Sequence, residues 1–172
     1  MGQITGMFND LTRVKSARNG RLASWDQRGM NQDYWMIPAG ETIVLGEIEG
    51  PACITHIWMT SSCRRVNGPS ILDPELNALC APVNEIHPAL GVIRDDYDPF
   101  YYRKVLIRMT WDDQDTPSVL APLGDFFCIG NCYPGNFSSL PFNVSLKPEE
   151  AGRYGAPCSV SCYLPMPFNK KA

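Results

Sequence analysis

Proline and glycine are spread through the whole chain and limit the length of any regular element. The 172 residues contain 15 prolines and 14 glycines, and an internal proline interrupts helices and central strands alike. Between them, segments such as "PFNVSLK", "PCSVSCYLPMPF" and the β-branched and aromatic "FYYRKVLIRMTWDD" have the character of strands. Many short strands separated by Gly/Pro turns predict an all-β fold, either a β-sandwich, a jelly roll or a barrel.

Three further segments predict strands, and one predicts a short helix. The strand segments are "ETIVLGEIEG" (41–50), "PACITHIWMTSS" (51–62) and "TPSVLAPLGDFF" (116–127). The helix is expected around "NDLTRVKSA" (9–17). A Pro-rich stretch without periodicity predicts a long loop at about 65–99. No internal repeat or linker is visible, so we expect a single domain over 1–172.

Composition and charge exclude several classes of protein. Hydrophobic residues make up 44% of the chain and charged residues 19%, which is typical of a folded domain. The net charge of −3 argues against a nucleic-acid partner, and no apolar run is long enough to span a bilayer. The N-terminus lacks the apolar region of a secretory signal. We therefore expect a soluble, cytoplasmic protein, and the absence of a phosphate loop or dinucleotide fingerprint predicts no cofactor.

Seven cysteines raise the question of a metal site. "CIGNC" and "CSVSC" repeat a C-x₃-C spacing, so a four-thiolate zinc site is one interpretation. Structural zinc sites usually use a tighter turn, and "CSVSC" has the character of a strand, in which both sulfurs would lie on one face but well apart. We favour reduced, mostly buried thiols and predict no metal.

Two segments combine carboxylates with aromatic rings, which is the chemistry of a sugar site. Carboxylates accept hydrogen bonds from vicinal hydroxyls, and rings cover the apolar faces of sugars. The first segment, "SWDQRGMNQDYWMIPAG", also has the composition of a subunit interface; the second is "TWDDQDTPSVLAPLGDFF". The alternative is that the aspartates cap turns at strand ends. The candidate substrate-binding residues are Asp26, Arg28, Asn31, Asp33, Trp111, Asp112, Asp125 and Phe126.

Nucleophilic catalysis is poorly supported by the sequence. His56 is predicted to lie inside a strand next to Trp58, and His87 precedes Pro88 in the long loop. No G-x-S-x-G string is present. We expect His56 to be a sheet residue and not a general base.

The order of motifs resembles glycoside hydrolase family 172 over nearly the whole chain. The strings that carry the resemblance include "GPACITHIWMT", "WDDQDTPSV", "APLGDFF" and "CYLPMPF". It implies one jelly-roll β-sandwich of the two that family members carry in tandem, and activity on α-linked D-fructofuranosides or D-arabinofuranosides. It also implies a homo-oligomer, a trimer or hexamer in the family, with active sites at subunit interfaces. The candidate residues would then serve both the interface and the sugar pocket.

One departure from the family leaves two hypotheses. The family's catalytic glutamates lie in strings like "EGDE" and "TEDY", and neither string occurs in these 172 residues. The chain is therefore expected to be the N-terminal half of such an enzyme, inactive alone and dependent on a second-half chain for its catalytic residues. The alternative is a non-catalytic single jelly roll that binds carbohydrate or forms an assembly.

Overall fold

The computed structural model describes residue 14 and the ranges 16–31, 33–35, 37–38, 40–61 and 99–172. Several predicted features lie outside these residues: most of the helix at 9–17, the loop at about 65–99 up to residue 98, Cys63, Cys80 and His87. The single domain over 1–172 therefore stays a prediction.

A four-stranded antiparallel sheet organises the described residues. From edge to edge its strands are β2 (Ile57–Ser61), β7 (Cys158–Cys162), β6 (Phe142–Ser145) and β5 (Phe137–Ser138). Val160 of β7 is paired with Met59 on one side and Val144 on the other. Because alternate residues of a strand point to opposite faces, this register places one apolar row across the sheet. That face packs against the core.

Two strand pairs complete the β structure. They are β1 (Ala52–Ile54) with β8 (Met166–Phe168), and β3 (Leu106–Met109) with β4 (Val119–Pro122), both antiparallel. The β1–β8 pairing continues beyond the strands, where Glu49 bridges to Lys171 and the backbones of Ile48 and Ala172 exchange two hydrogen bonds of 2.8 and 2.9 Å. The C-terminal residues are thereby held against the segment that leads into β1.

The core lies between the four-stranded sheet and two helical turns. These turns are α1 (Tyr101–Lys104) and α2 (Leu123–Phe126), and short 3₁₀ helices span Gly130–Cys132 and Pro148–Glu150. The buried cluster consists of Tyr102, Ile107, Leu123, Phe127, Ile129, Cys132, Val144, Leu146, Cys158, Val160 and Cys162. Burial of these side chains supplies the main driving force for folding.

Two predicted strands are wrong in part. In 41–50 the described structure has only the bridge at Glu49, because no described strand lies beside residues 41–47 to complete a ladder. In 100–113 the strand is limited to β3, since α1 takes up Tyr101–Lys104. A strand would have put Lys104 on the same face as Tyr102. The helical turn buries Tyr102 and leaves Arg103 and Lys104 exposed.

The predicted all-β class is confirmed. The described strands all pair antiparallel, and the helices are single turns. The jelly-roll connection specifically stays a prediction. Among the described residues, no helix has the length and apolar character needed to cross a membrane.

Candidate functional site

The opening segment forms a tight turn held by its own carboxylates. One oxygen of Asp26, Oδ1, accepts hydrogen bonds of 3.0 Å from both the backbone N–H and the Nε of Arg28, and its Oδ2 accepts one of 3.3 Å from Arg28 Nη2. The backbone N–H of Asp26 donates in turn to Asp33 Oδ1 at 2.7 Å. Gly29 and Asn31 both adopt positive φ values, 72° and 62°. Glycine and asparagine tolerate this conformation best, which explains the turn.

This turn presents an arginine and several rings to solvent. The Arg28 side chain is 67% exposed, whereas that of Asp26 is 6% exposed. Hydrogen bonding and charge attraction from Asp26 raise the pKa of the guanidinium, so it stays charged. The rings of Trp25, Tyr34 and Trp35 are exposed in the same segment. The Arg28 cation is thus held in place by the nearly buried Asp26 carboxylate, and exposed aromatic rings lie close to it in the sequence.

Trp111 and Asp112 are joined to the C-terminal segment. The Trp111 ring stacks on Phe168 with centroids 6.2 Å apart and planes 3° apart. Asp112 Oδ1 accepts from the backbone N–H of Lys170 at 2.6 Å, and the carboxylate also accepts from those of Asn169 and Lys171 at 2.9 and 3.4 Å. Asp112 is thus a cap on the turn that follows β8. The sequence left two interpretations of Asp112 open, a turn cap and a sugar contact. The hydrogen bonds in the structure correspond to the turn cap.

Replacement of Asp112 is expected to loosen the C-terminal segment in a pH-dependent way. Hydrogen bonding from the Lys170 N–H, with contributions from Asn169 and Lys171, lowers the pKa of Asp112 below its ordinary 3.8. The stabilisation is therefore complete above pH 3.8 and is lost as the pH falls through the lower value of the folded state. We expect Asp112→Asn, which keeps a residue that tolerates the positive φ of 52° at this position, to lower the melting temperature at pH 7 and to show a smaller further loss than the parent on acidification.

Asp113→Asn is the matched control for that experiment. Asp113 is the next residue in the same turn and also has a positive φ, 61°, which asparagine tolerates. Its carboxylate makes exposed ion pairs with Lys171 at 2.6 Å and Lys170 at 3.7 Å, and such pairs contribute little. Equal melting temperatures for the two variants across the pH range would contradict the capping role.

Asp125 and Phe126 lie in α2, each engaged with a different neighbour. Asp125 forms an ion pair with Arg103 of α1. The Phe126 ring packs edge-on against Phe127 and Phe142, with centroids 4.9 and 6.1 Å away, and belongs to the shell around the core. These contacts fasten α2 to α1 and to the four-stranded sheet.

The eight predicted site residues thus fall into three local groups. Asp26, Arg28 and Asp33 are joined by hydrogen bonds, with Asn31 in the same turn; Trp111 and Asp112 contact the C-terminal segment; Asp125 and Phe126 belong to α2. A shared sugar pocket formed by all three groups stays a prediction. An open depression of about 410 Å³ lies instead over β5 and β6, lined by Asn136, Phe137, Ser138, Asn143, Val144 and Ser145.

The remaining candidates for chemistry are cysteines and one histidine. Cys158 and Cys162 are buried on the core face of β7, as the strand prediction required, and burial raises the pKa of both thiols. No three His, Cys, Asp or Glu side chains converge within the part of the chain that the structure describes. His56 lies between β1 and β2, not inside a strand, and its ring stacks on Tyr163 at 4.4 Å.

A comparison with known families found a match in the second half of the chain. Residues 95–172 match the model of a family described as GH172 domain-like. The matched region contains both helical turns and the six strands β3 to β8. No curated protein matches the chain.

Proposed function

We propose that this chain, whose residues 95–172 match the GH172 domain-like family, is a furanoside-binding module of a glycoside hydrolase. The family match over residues 95–172 supports a relation to glycoside hydrolases. The proposed ligands are α-linked D-fructofuranosides or D-arabinofuranosides, the substrates implied by the motif resemblance.

The observation that carries the proposal is the turn around Asp26 and Arg28. Its guanidinium is exposed and is oriented by a carboxylate that is itself nearly buried. Such a group donates hydrogen bonds in a fixed geometry, which suits the vicinal hydroxyls of a sugar. The exposed rings of Trp25 and Trp35 in the same segment offer apolar surface for a sugar face.

We propose that the same segment also forms a subunit contact. Besides Trp25 and Trp35, seven large hydrophobic side chains are exposed among the described residues of 14–45: Val14, Leu22, Met30, Tyr34, Ile37, Val44 and Leu45. Exposed apolar surface on this scale is typical of a binding surface. A second copy of the chain, as in the family's trimers and hexamers, or a second-half chain would cover it, and the sugar would then bind beside the contact.

The catalytic glutamates of the proposed enzyme would come from outside these 172 residues. Glycoside cleavage uses two carboxyl groups on opposite sides of the scissile bond. The family strings "EGDE" and "TEDY" that supply them do not occur in this sequence. The role proposed for this chain is therefore to bind and orient the sugar.

A titration of the isolated chain with difructose dianhydride and a methyl arabinofuranoside, followed by tryptophan fluorescence, tests the binding role. We expect Arg28→Ala to weaken binding about tenfold or more, because hydrogen bonds from a charged donor are lost. Arg21→Ala, an exposed arginine in the same segment, is the matched control and should bind as the parent does. Light scattering of the same samples should give a mass above that of one chain.

Equal affinity for the Arg28 and Arg21 variants, or no furanoside binding by the parent, would remove the assigned role from this turn.

A further inference from the structure

The face of the four-stranded sheet opposite the core is covered by small hydroxyl and amide side chains. Backbone pairing places Trp58 opposite Ser161, Ser161 opposite Asn143, and Asn143 opposite Ser138. These four side chains form one row across β2, β7, β6 and β5, in which Ser161 is only 7% exposed and lies between the exposed Trp58 and the half-buried Asn143. A second row runs parallel to it through Thr60, Ser159 and Ser145. Since the core face of the same strands is apolar, the alternation separates two chemically different surfaces.

Three of the six polar side chains in these rows, those of Thr60, Ser159 and Asn143, are anchored to the sheet itself. Thr60 Oγ1 donates to the Cys158 carbonyl at 3.2 Å, and Ser159 Oγ donates to that of Ser145 at 3.2 Å. Asn143 Nδ2 donates to the Phe137 carbonyl at 3.3 Å. Each contact fixes a rotamer while the hydroxyl or amide oxygen keeps acceptor capacity. These three side chains therefore present donors and acceptors in fixed positions on the face.

Aromatic rings border this array at one edge. Trp58 is 57% exposed in the edge strand β2. His56 lies two residues before Trp58 and Tyr163 two residues after Ser161, so both continue the same face by the strand alternation. Their rings stack at 4.4 Å with planes 3° apart, as this placement requires. At the opposite edge lies the open depression over β5 and β6, lined in part by Ser138, Asn143 and Ser145.

The chemistry of this face selects a neutral, hydroxylated ligand. Neither row contains a carboxylate, lysine or arginine, so it provides no charge complementarity for nucleic acid or for a charged peptide. A protein partner would be expected to bury a large apolar centre, and Trp58 is the single large apolar side chain in the two rows. Rings beside fixed hydroxyl and amide groups suit sugars. Strands about 4.8 Å apart give a four-strand row of about 14 Å, the length of a short oligosaccharide.

We propose that this face binds a neutral oligosaccharide chain, whose sugars stack on Trp58 and on the His56–Tyr163 pair. The chain lies across β2, β7, β6 and β5 and ends in the depression beside Ser138. This surface is built from residues other than those of the Asp26–Arg28 turn, so the module would hold an extended substrate at a second place. It stands whether or not the turn binds a furanoside.

Retention of the full chain in native gels containing a neutral polysaccharide tests this surface. The gels would contain a linear arabinan, an inulin or a soluble β-glucan in separate runs, with the acidic polygalacturonate as the charged comparison. We expect the protein to migrate more slowly in the presence of at least one neutral polysaccharide. Polygalacturonate should not slow its migration. Trp58→Ala should weaken the retention about tenfold or more, since a stacking surface is lost. Tyr154→Ala removes another ring that is also 57% exposed but lies outside the face, and should migrate as the parent does.

A second substitution keeps the test decisive if Trp58→Ala folds poorly. Ser138→Glu adds a charge at the exposed edge strand beside the depression and should also abolish retention, with an unchanged melting temperature.

Equal retention for the Trp58 and Tyr154 variants would overturn the proposal. So would a lower particle mass for Trp58→Ala in light scattering with no change in retention, because the face would then be a contact between copies.

Discussion

Replacement of Tyr102 by alanine is expected to lower the free energy of unfolding by about 3–5 kcal/mol. The ring is 1% exposed and lies at the centre of the buried cluster. Its hydroxyl is 2.8 Å from the Ala156 carbonyl, 3.1 Å from Cys158 Sγ and 3.4 Å from the Ser61 carbonyl. Burial raises the pKa of this hydroxyl, so it stays protonated and donates at any pH at which the protein is folded. One side chain thus joins α1 to both β2 and β7.

Urea denaturation of Tyr102→Ala beside Tyr102→Phe separates the packing of this ring from its hydrogen bonds. The phenylalanine keeps the ring and leaves the Ala156 carbonyl without its donor, which costs about 1–3 kcal/mol. We expect both variants to keep the parent's dependence on urea concentration, since the surface exposed on unfolding is unchanged. A loss below about 1 kcal/mol for Tyr102→Ala would mean that α1 is not part of the cooperative core.

The β strands that alternate apolar with polar residues were the most predictable part of the fold. Residues 158–162 alternate Cys, Val and Cys with two serines, and the structure buries the Cys and Val side chains on the core face of β7, while on the opposite face Ser159 is half-buried and Ser161 is buried. The same logic located β6 and β2. In each case a single residue pattern determines which face is buried, so no knowledge of the neighbouring strands is needed.

The failures arose where the neighbours decide the outcome. β-Branched and apolar residues at 41–50 favour a strand, but no strand among the described residues lies beside 41–47 to accept its hydrogen bonds. At 101–104 the buried partners of Tyr102 come from 41 to 56 residues away and favour a helical turn. The glycine at position 124, in the string "APLGDFF", is also required by a residue distant in the sequence. A Cβ at this position would lie 2.8 Å from the Cβ of Tyr102. Local propensity contains none of this information.

The candidate site was harder to predict than the fold for the same reason. An aspartate in "WDDQD" is compatible with a cap or a sugar contact, and the amide donors that make Asp112 a cap are 57 to 59 residues away. Asp26 and Arg28 are two residues apart, so their pairing is local. The sequence does not show, however, that the Asp26 side chain is nearly buried while that of Arg28 is exposed. The hydroxyl face of the sheet had a signal, since Ser, Thr and Asn alternate with the apolar residues of β2, β6 and β7. The strand predictions depended only on the apolar residues of these segments.

Hydrolysis of a nitrophenyl furanoside by the isolated chain is expected to be no faster than in buffer. The physical reason is that glycosidic cleavage needs a positioned acid and a second carboxylate, and the family's glutamate strings are not among these 172 residues. Addition of a family chain that carries "EGDE" and "TEDY" should raise the rate by about 10⁶-fold or more over the uncatalysed reaction. The control is the same added chain with the glutamates of "EGDE" or of "TEDY" replaced by glutamine. It should still form a complex of the same mass with this chain, but should not restore hydrolysis.

The outcome also separates the two functions considered for this module. If the added chain restores hydrolysis and Arg28→Ala reduces it, this module orients the substrate for an enzyme assembled from two parts. If furanoside binds but no partner gives hydrolysis, the module acts as a non-catalytic carbohydrate-binding unit. Hydrolysis by the isolated chain would contradict both, because the acid and the second carboxylate would then have to lie among its own side chains. Such a result would direct mutagenesis to Glu149 and Glu150, which lie together in the 3₁₀ helix before β7.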